Sequence, residues 1–218
     1  MSPARSASGN RSFLRPVPTP APAARSELGN ISDDDLIEAV VAGDASVASE
    51  LYDRLHHSVD RTIYRVLGRR EGDHEDLVQT TFEQIVKTLA TRRFARACSL
   101  KTWACSVATH VALNAMRSRR RERGVFDRRE EHPDGPALGS DPERDALARR
   151  DVDNVRRLLA DMSPARAEAL FLHDVLGYEL AEIAALTGVS IAAAQSRLVR
   201  GRHELHEKLG VKKKRGRT

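Results

Sequence analysis

Apolar residues recur at steps of three and four along most of this chain, and strand-like alternation never appears. Between residues 45 and 68, for example, Leu51, Leu55, Val59 and Ile63 follow one another at this spacing. Such a pattern places the apolar side chains on one face of an α-helix. The sequence therefore predicts an all-α fold.

Proline and glycine divide this helical pattern into parts. Residues 1–30 contain five of the nine prolines and have no acidic residue among the first 26, which predicts a disordered extension and disfavours an amphipathic targeting helix. Residues 124–146 combine three prolines and three glycines with mixed charge, as is typical of a flexible linker. We therefore expect two small helical domains, at 31–123 and 147–209, with a basic tail at 210–218.

The overall charge and composition limit the partners and the chemistry. Lys and Arg outnumber Asp and Glu by 36 to 31, which predicts a basic surface suited to a polyanion. No apolar run approaches the roughly 20 residues of a membrane span, so we expect a soluble, cytoplasmic protein without membrane insertion. Cys98 and Cys105 have neither disulfide nor zinc spacing, and no phosphate loop or catalytic cluster is found. We expect no enzyme activity, metal or cofactor.

The stretch GYELAEIAALTGVSIAAAQSRLVRGR, residues 177–202, has the pattern of a helix-turn-helix. Gly188 lies in the predicted turn, and Ser190 is suited to cap the second helix. The periodicity directs Ile191, Ala194 and Leu198 inward. It directs the small, polar and basic side chains outward or to the flanks: Ala192, Ala193, Gln195, Ser196, Arg197 and Arg200. Such a face fits the major groove of DNA, although a helical hairpin with a solvated charged face has the same pattern.

The first domain contains a second basic segment. A helix is predicted from Leu100, with Trp103, Val107, Val111 and Ala115 directed inward, and it runs into the sequence RSRRRER. Its arginines are predicted to contact phosphates; they are Arg123 and a group of four, Arg117, Arg119, Arg120 and Arg121. A solvated charge run remains the alternative for them, and core packing remains the alternative to base stacking for Trp103.

A further predicted helix, HEDLVQTTFEQIVKTL at residues 74–89, has one apolar and one polar face. Asp76, Gln79, Thr80 and Glu83 lie on the polar face. The pattern alone describes an ordinary solvent-exposed helix surface, so a role for these four residues requires other grounds.

Taken in order, these motifs resemble the extracytoplasmic-function sigma factors, the small two-domain specificity subunits of bacterial RNA polymerase. The resemblance extends from about Leu36 to Leu209. EDLVQTTFEQIVKTL is similar to the helix that docks on the polymerase clamp, and SLKTWACSVATHVALNAMRSRRR to the helix that melts the promoter and reads its upstream element. MSPARAEALFLHDVLGYELAEIAALTGVSIAAAQSRLVRGR is similar to the fourth-region helix-turn-helix.

The resemblance implies a role for each set of residues. Asp76, Gln79, Thr80 and Glu83 would bind core polymerase. The minus-ten element would be contacted by Lys101, Trp103, His110, Asn114 and the four arginines, and the minus-thirty-five element by Ser190, Ala192, Ala193, Gln195, Ser196, Arg197 and Arg200.

The chain departs from the family at several of these positions. Ala193, Ala194 and Gln195 stand where Thr-Val-Lys is frequent, and His110 stands where Asn is frequent, so the promoter sequence is left open. A repressor or activator that never binds polymerase is the alternative function, and a recombinase-like enzyme would need a catalytic cluster that the first domain lacks. Whether an anti-sigma factor sequesters the chain is also left open.

Overall fold

The computed structural model describes residues 31–70, 72–125 and 142–210, with side chains throughout except at 123–125 and 142–147. The predicted extension at 1–30, most of the predicted linker and nearly all of the predicted tail lie outside these residues. Within the described part, every regular element is helical and no strand forms. The prediction of an all-α fold is confirmed.

Residues 31–125, here called the first unit, form four α-helices. They are α1 at Asp33–Val41, α2 at Ala48–Leu67, α3 at His74–Ala90 and α4 at Leu100–Val125, with a short 3-10 turn at Ala45–Val47. Ser32 caps α1, because its hydroxyl accepts a hydrogen bond from the Asp35 amide at 3.1 Å. Gly68 ends α2 in the left-handed conformation, with φ at 78°.

Helices α2, α3 and α4 pack against one another, and α1 packs on α3. Val59 and Ile63 of α2 are fully buried, as are Ile85 of α3 and Ala108 of α4. Buried threonines in this bundle satisfy their hydroxyls within their own helices; Thr81, for example, donates to the carbonyl of Leu77 at 2.7 Å. The bundle fixes which faces of α3 and α4 remain on the outside.

The buried face of α4 is wider than the predicted stripe and is centred on small residues. Ala104, Ala108 and Ala112 are fully buried, whereas Trp103 and Val107 are only half-buried. The alanines allow α4 to approach α2 closely, and the second unit covers another side of the same helix. Val111 is buried as predicted, and Trp103 and Val107 pack against the edge of the same core. A pattern based on large apolar residues alone therefore misses the alanines at the centre of the packed face.

Residues 142–210, here called the second unit, form four further helices. They are α5 at Pro142–Asp161, α6 at Pro164–Leu170, α7 at Leu180–Thr187 and α8 at Ile191–Lys208, and a π-helical turn at Phe171–Val175 continues α6. The first five residues of α5 and the last two of α4 lie inside the segment predicted as linker, 124–146. Gly201 of α8 allows close contact with α6, because a Cβ atom there would lie 3.2 Å from the carbonyl oxygen of Arg166.

The two units share one apolar core. Leu159, Met162, Leu170 and Phe171 of the second unit are buried in the same cluster as the core of the first. A smaller cluster, which includes Leu172 and Ile183, holds α7 and α8 together. The second unit thus rests directly on α4 and does not stand apart from the first unit.

Candidate nucleic-acid interface

The helix-turn-helix forms where the sequence predicts it. Gly188 adopts the left-handed conformation, with φ at 65°, at the end of α7. Ser190 caps α8, since its hydroxyl accepts a hydrogen bond from the amide of Ala193 at 3.2 Å. At the start of α7, the Glu182 carboxylate accepts from the amide of Glu179 at 2.9 Å. These local bonds fix the angle at which α8 leaves the turn.

The outer side of α8 is more apolar than predicted. Ala194 and Leu198 are buried as expected, but Ile191 is 53% exposed and Val199 is 57% exposed. Ile191 begins the helix and extends past the edge of the small core, so the inward placement predicted for it is wrong. Together with Gln195, these two residues form a row at four-residue steps, which we call the α8 row.

The other predicted contacts of α8 lie around this row. Ala192 and Arg200 are exposed, while Ala193, Ser196 and Arg197 are half-buried at the edges of the outer side. One basic residue of this helix is already engaged in the second unit: Arg202 donates through Nε to the Asp174 carboxylate at 3.0 Å. That guanidinium lowers the pKa of Asp174 below its ordinary value and holds α8 against the π-helical turn.

The basic residues of α4 form a second candidate surface, which runs along one side of the helix. Asn114 connects two of them: its Nδ2 atom lies 2.9 Å from Nε2 of His110, and its Oδ1 accepts from Arg117 at 3.0 Å. We call His110, Asn114, Arg117 and Arg120 the α4 stripe. Lys101 and Arg121 are exposed outside the stripe.

The second unit contacts three of the four residues of the α4 stripe, of which His110 and Arg120 stay exposed. Arg120 makes two hydrogen bonds with the carboxylate of Asp161, at 2.9 and 3.0 Å. Arg117 donates to the carbonyl of Pro164 at 3.4 Å. The Glu168 carboxylate lies 3.6 Å from Nδ1 of His110. Arginines expected to meet phosphates thus face carboxylates and a carbonyl of the same chain.

Charge and burial at this contact shift the pKa values of His110 and Arg117. The Glu168 carboxylate beside the ring raises the pKa of His110 above its ordinary value, against burial and the nearby charge of Arg117, which lower it. Burial lowers the pKa of Arg117. The Nε atom of Arg117 is also buried without a hydrogen-bond partner, which disfavours the covered arrangement.

Arg119 lies on another side of α4. It forms an ion pair with Asp73, the residue before α3, and is mostly buried. This ion pair connects α4 to the residue that precedes α3 in the described structure. Arg121, another predicted phosphate contact, is exposed to solvent, and no carboxylate among the described residues covers it.

Trp103 lies next to the loop between α3 and α4. Its ring packs against Phe94, with centroids 4.7 Å apart at an angle of 34°. Arg92 and Arg96 of this loop have positive φ angles of 54° and 53°, and both pair with Glu38 of α1. Left-handed backbone at a non-glycine residue costs free energy, and such strain is concentrated at functional sites. A cavity of about 290 Å³ lies between this loop and α1.

The polar residues of α3 occupy the side opposite its buried face. Asp76, Gln79 and Glu83 are exposed, and Thr80 is half-buried, with its hydroxyl donating to the carbonyl of Asp76 at 2.7 Å. Gln79 donates to Glu83 at 3.0 Å. Val86 extends the row and is 43% exposed; its spacing from Glu83 could have identified it in the sequence. We call Asp76, Gln79, Glu83 and Val86 the α3 face.

Two further findings concern metals and membranes. In the described residues, no group of three or more His, Cys, Asp or Glu side chains is arranged to hold a metal ion. None of the helices in the same part of the chain is long and apolar enough to cross a bilayer.

An all-helical chain with a helix-turn-helix and a second arginine-lined helix defines a class of helical DNA-binding proteins. Known proteins identify the family within that class. Residues 51–122 match the family model of Sigma-70 region 2, and residues 152–205 match that of Sigma-70, region 4.

Named relatives agree with these matches. The chain is 31% identical over 136 residues to the RNA polymerase sigma factor CarQ of Myxococcus xanthus, covering 62% of this chain and 74% of CarQ. It is 28% identical over 177 residues to the ECF RNA polymerase sigma factor SigC of Mycobacterium tuberculosis, covering 80% and 91%. A structure of the sigma factor RpoE with the anti-sigma factor NepR from Bartonella quintana matches with a TM-score of 0.48 and 22% identity, over 76% of this chain and 98% of that one.

This chain belongs to the extracytoplasmic-function sigma factors of bacterial RNA polymerase. The alternative of a repressor or activator unrelated to polymerase is thereby set aside. Both family matches fall inside the predicted domains, at 31–123 and 147–209. The residues assigned to polymerase and to DNA remain predictions, as does an anti-sigma partner for this chain.

Proposed function

We propose that this sigma factor docks on core polymerase through the α3 face and contacts promoter DNA through α4 and α8. The observation that carries the proposal is the separation of these surfaces. The α3 face points away from the side of α3 that packs against α2 and α4, because Val78, Phe82 and Ile85 occupy that packed side. Polymerase bound at the α3 face therefore occupies a side of α3 that the packing of the helices leaves open.

The outer side of α8 has the chemistry of a major-groove reader. Arg200 is exposed and long enough to reach base edges or phosphates, and Gln195 presents an amide that pairs well with adenine. Arg197 is half-buried at the edge of the helix, where a phosphate contact is the simpler geometry. Ser190 orients the helix through its cap. The helix thus reads the distal, minus-thirty-five element.

Helix α4 and the loop before it engage the minus-ten element in this proposal. The α4 stripe with Lys101 and Arg121 supplies cations for a phosphate backbone, and Trp103 with Phe94 supplies aromatic surface beside the strained loop. Base capture by aromatic groups and cations stabilises a separated strand. The chain itself makes or breaks no covalent bond, because RNA synthesis belongs to the polymerase, and it acts in the bacterial cytoplasm, where polymerase works.

Charge reversal on the α3 face tests the docking assignment. The double variant Asp76→Lys/Glu83→Lys should lose binding to core polymerase, measured by pull-down with purified core enzyme, and should lose promoter-dependent transcription. Both side chains are exposed, so the helical circular dichroism should not change. Glu75→Lys is the matched control, since Glu75 is an exposed acid on the same first turn but points to a different side. Undiminished binding by the double variant would contradict the assignment.

A further inference from the structure

The loop between α3 and α4, residues 91–99, is connected to α1 by two of its arginines. One amino group of Arg96 donates to the carboxylate of Asp34 at 2.9 Å, and its other amino group pairs with Glu38. An amino group of Arg92 lies 3.3 Å from the second carboxylate oxygen of Glu38. Two arginines of one loop therefore converge on a single carboxylate of the neighbouring helix.

Both arginines occupy backbone positions that suit glycine. At the end of α3, the amide of Arg92 donates to the carbonyl of Leu89 at 2.9 Å, and the amide of Arg93 donates to the carbonyl of Thr88 at 3.0 Å. This pair of hydrogen bonds ends a helix around a left-handed residue, which is usually glycine. Arg92 has a φ of 54° and Arg96 a φ of 53°. The chain thus accepts left-handed strain twice, and each time the side chain present there reaches the same carboxylate.

Apolar packing does not fill the space between this loop and α1. The cavity of about 290 Å³ described above lies there, and Ile37 and Val41 of α1 line one of its sides. On the other side of the loop, Phe94 is half-buried against Trp103. Residues 95–97 are exposed. The position of the loop relative to α1 therefore depends on its charged contacts.

Helix α1 has its own contacts to the rest of the first unit. Leu36 is fully buried on the inner side of the helix. Arg54 of α2 donates to the carboxylate of Asp33 at 3.0 Å and to the carbonyl of Ile31 at 2.9 Å, and these two bonds hold the start of the helix. Glu38 thus extends from a helix that is held in place independently of the loop.

We infer that Glu38 is a positioning residue for promoter recognition: it holds Arg92 and Arg96 and thereby keeps the loop in one conformation toward the unpaired minus-ten element. This inference rests on the proposed function of the loop at that element. Glu38 acts through the two arginines and does not contact DNA, since a carboxylate repels phosphates. A loop that samples several conformations adapts to several bases and discriminates less between them. Loss of Glu38 should therefore reduce base preference.

The base preference of the holoenzyme tests the inference. The probes are forked promoter fragments that differ only in one unpaired base of the minus-ten element on the non-template strand. In Glu38→Gln, the ratio of the affinities for the best and the worst base should fall at least about fivefold, which is the discrimination of one good base contact. Asp53→Asn removes the charge of an exposed acid of α2 and should keep this ratio within about twofold of the parent.

Hydrogen exchange of the free chain measures the loop without DNA or polymerase. The amides of residues 91–99 should exchange faster in Glu38→Gln than in the parent or in Asp53→Asn, because the loop opens more often. Equal exchange in all three proteins would overturn the inference.

Glycine variants separate positioning from direct base contact. Glycine suits the left-handed backbone at positions 92 and 96, and the ion pairs lost are exposed, so Arg92→Gly and Arg96→Gly should not lower the thermal midpoint of unfolding. Added to Glu38→Gln, the two changes should reduce base preference no further than Glu38→Gln alone, because all three remove the same contacts. A further loss of preference would show that the arginines read bases themselves, and it would overturn the inference.

The parent protein distinguishes failure of this inference from failure of the proposed function. If the parent holoenzyme prefers no base at any unpaired position of the minus-ten element, the proposed role of the loop at that element fails. If the parent has a preference that Glu38→Gln retains, the proposed function stands and the positioning role is refuted. Tighter binding of Glu38→Gln to every probe alike would also refute it, because Glu38 would then only compete with DNA for the loop arginines.

Discussion

The guanidinium of Arg120 and the carboxylate of Asp161 are joined by two hydrogen bonds, at 2.9 and 3.0 Å, across the boundary between the two units. This carboxylate raises the pKa of Arg120. The pair is half exposed, so salt should weaken it. Added salt should therefore weaken this contact between the two units, and it should also weaken DNA binding.

Acidity should strengthen the contact between the two units at His110 and Glu168. Its pKa is raised above the ordinary 6.5, mainly by Glu168, with Arg117 opposing. A raised pKa means that the contact is fully stabilising below about pH 6.5 and loses that stabilisation as pH rises through the raised value. The radius of gyration of the free chain should therefore increase between pH 6 and pH 8.5. In His110→Gln this increase should be absent. If the radius of gyration of that variant still increases with pH, groups other than His110 cause the response.

Loss of the α8 cap should destabilise the helix-turn-helix. Ser190→Ala removes the hydrogen bond to the Ala193 amide and should lower the free energy of unfolding by about 1 kcal/mol, measured by denaturant titration. Ser196→Ala is the matched control, since Ser196 lies half-buried within the same helix and caps nothing. Equal losses in the two variants would show that the cap is unimportant.

The exposed apolar members of the α8 row should detect thymine methyl groups. Replacing a thymine of the distal element by deoxyuridine removes only the methyl group, at a cost of about 0.8 kcal/mol or roughly a fourfold loss of affinity. In Val199→Ala, the ratio of the affinities for the thymine and deoxyuridine sites should fall toward one. Val175→Ala, which shortens an exposed valine outside α8, should retain it. No discrimination at any thymine by the parent would exclude this readout.

Arginines of α8 should contribute to DNA binding in different ways. Arg200→Ala should cost about 1 to 3 kcal/mol and relax preference at one base pair if it reads a base edge. Arg197→Ala should weaken all sequences alike and reduce the salt slope by about one, as expected for a phosphate contact. Arg157→Ala, an exposed arginine of α5, provides the control. Core polymerase binding should be unaffected, and full transcription by both α8 variants would contradict the role given to α8.

Local features of this fold could be predicted from sequence, whereas contacts between the units could not. The cap at Ser32, the left-handed Gly188 and the outward Asp76 depend on neighbours within one helix or turn, and the sequence displays those neighbours directly. The exposure of Ile191 depends on how far a small core extends. The cover over Arg117 and Arg120 depends on residues more than forty positions away, and no periodicity encodes such a contact.

Gly68 is subject to two separate restrictions. Its φ of 78° suits glycine, and an added Cβ atom would lie 2.2 Å from the guanidinium carbon of Arg156. Shortening residue 156 would relieve the collision but not the backbone strain. The guanidinium is the far end of a flexible side chain and can move aside, so the lasting restriction at position 68 is the left-handed backbone that ends α2. Any residue with a Cβ atom at position 68 would nevertheless displace this guanidinium from the carbonyl of Val66 and so remove one contact between the two units.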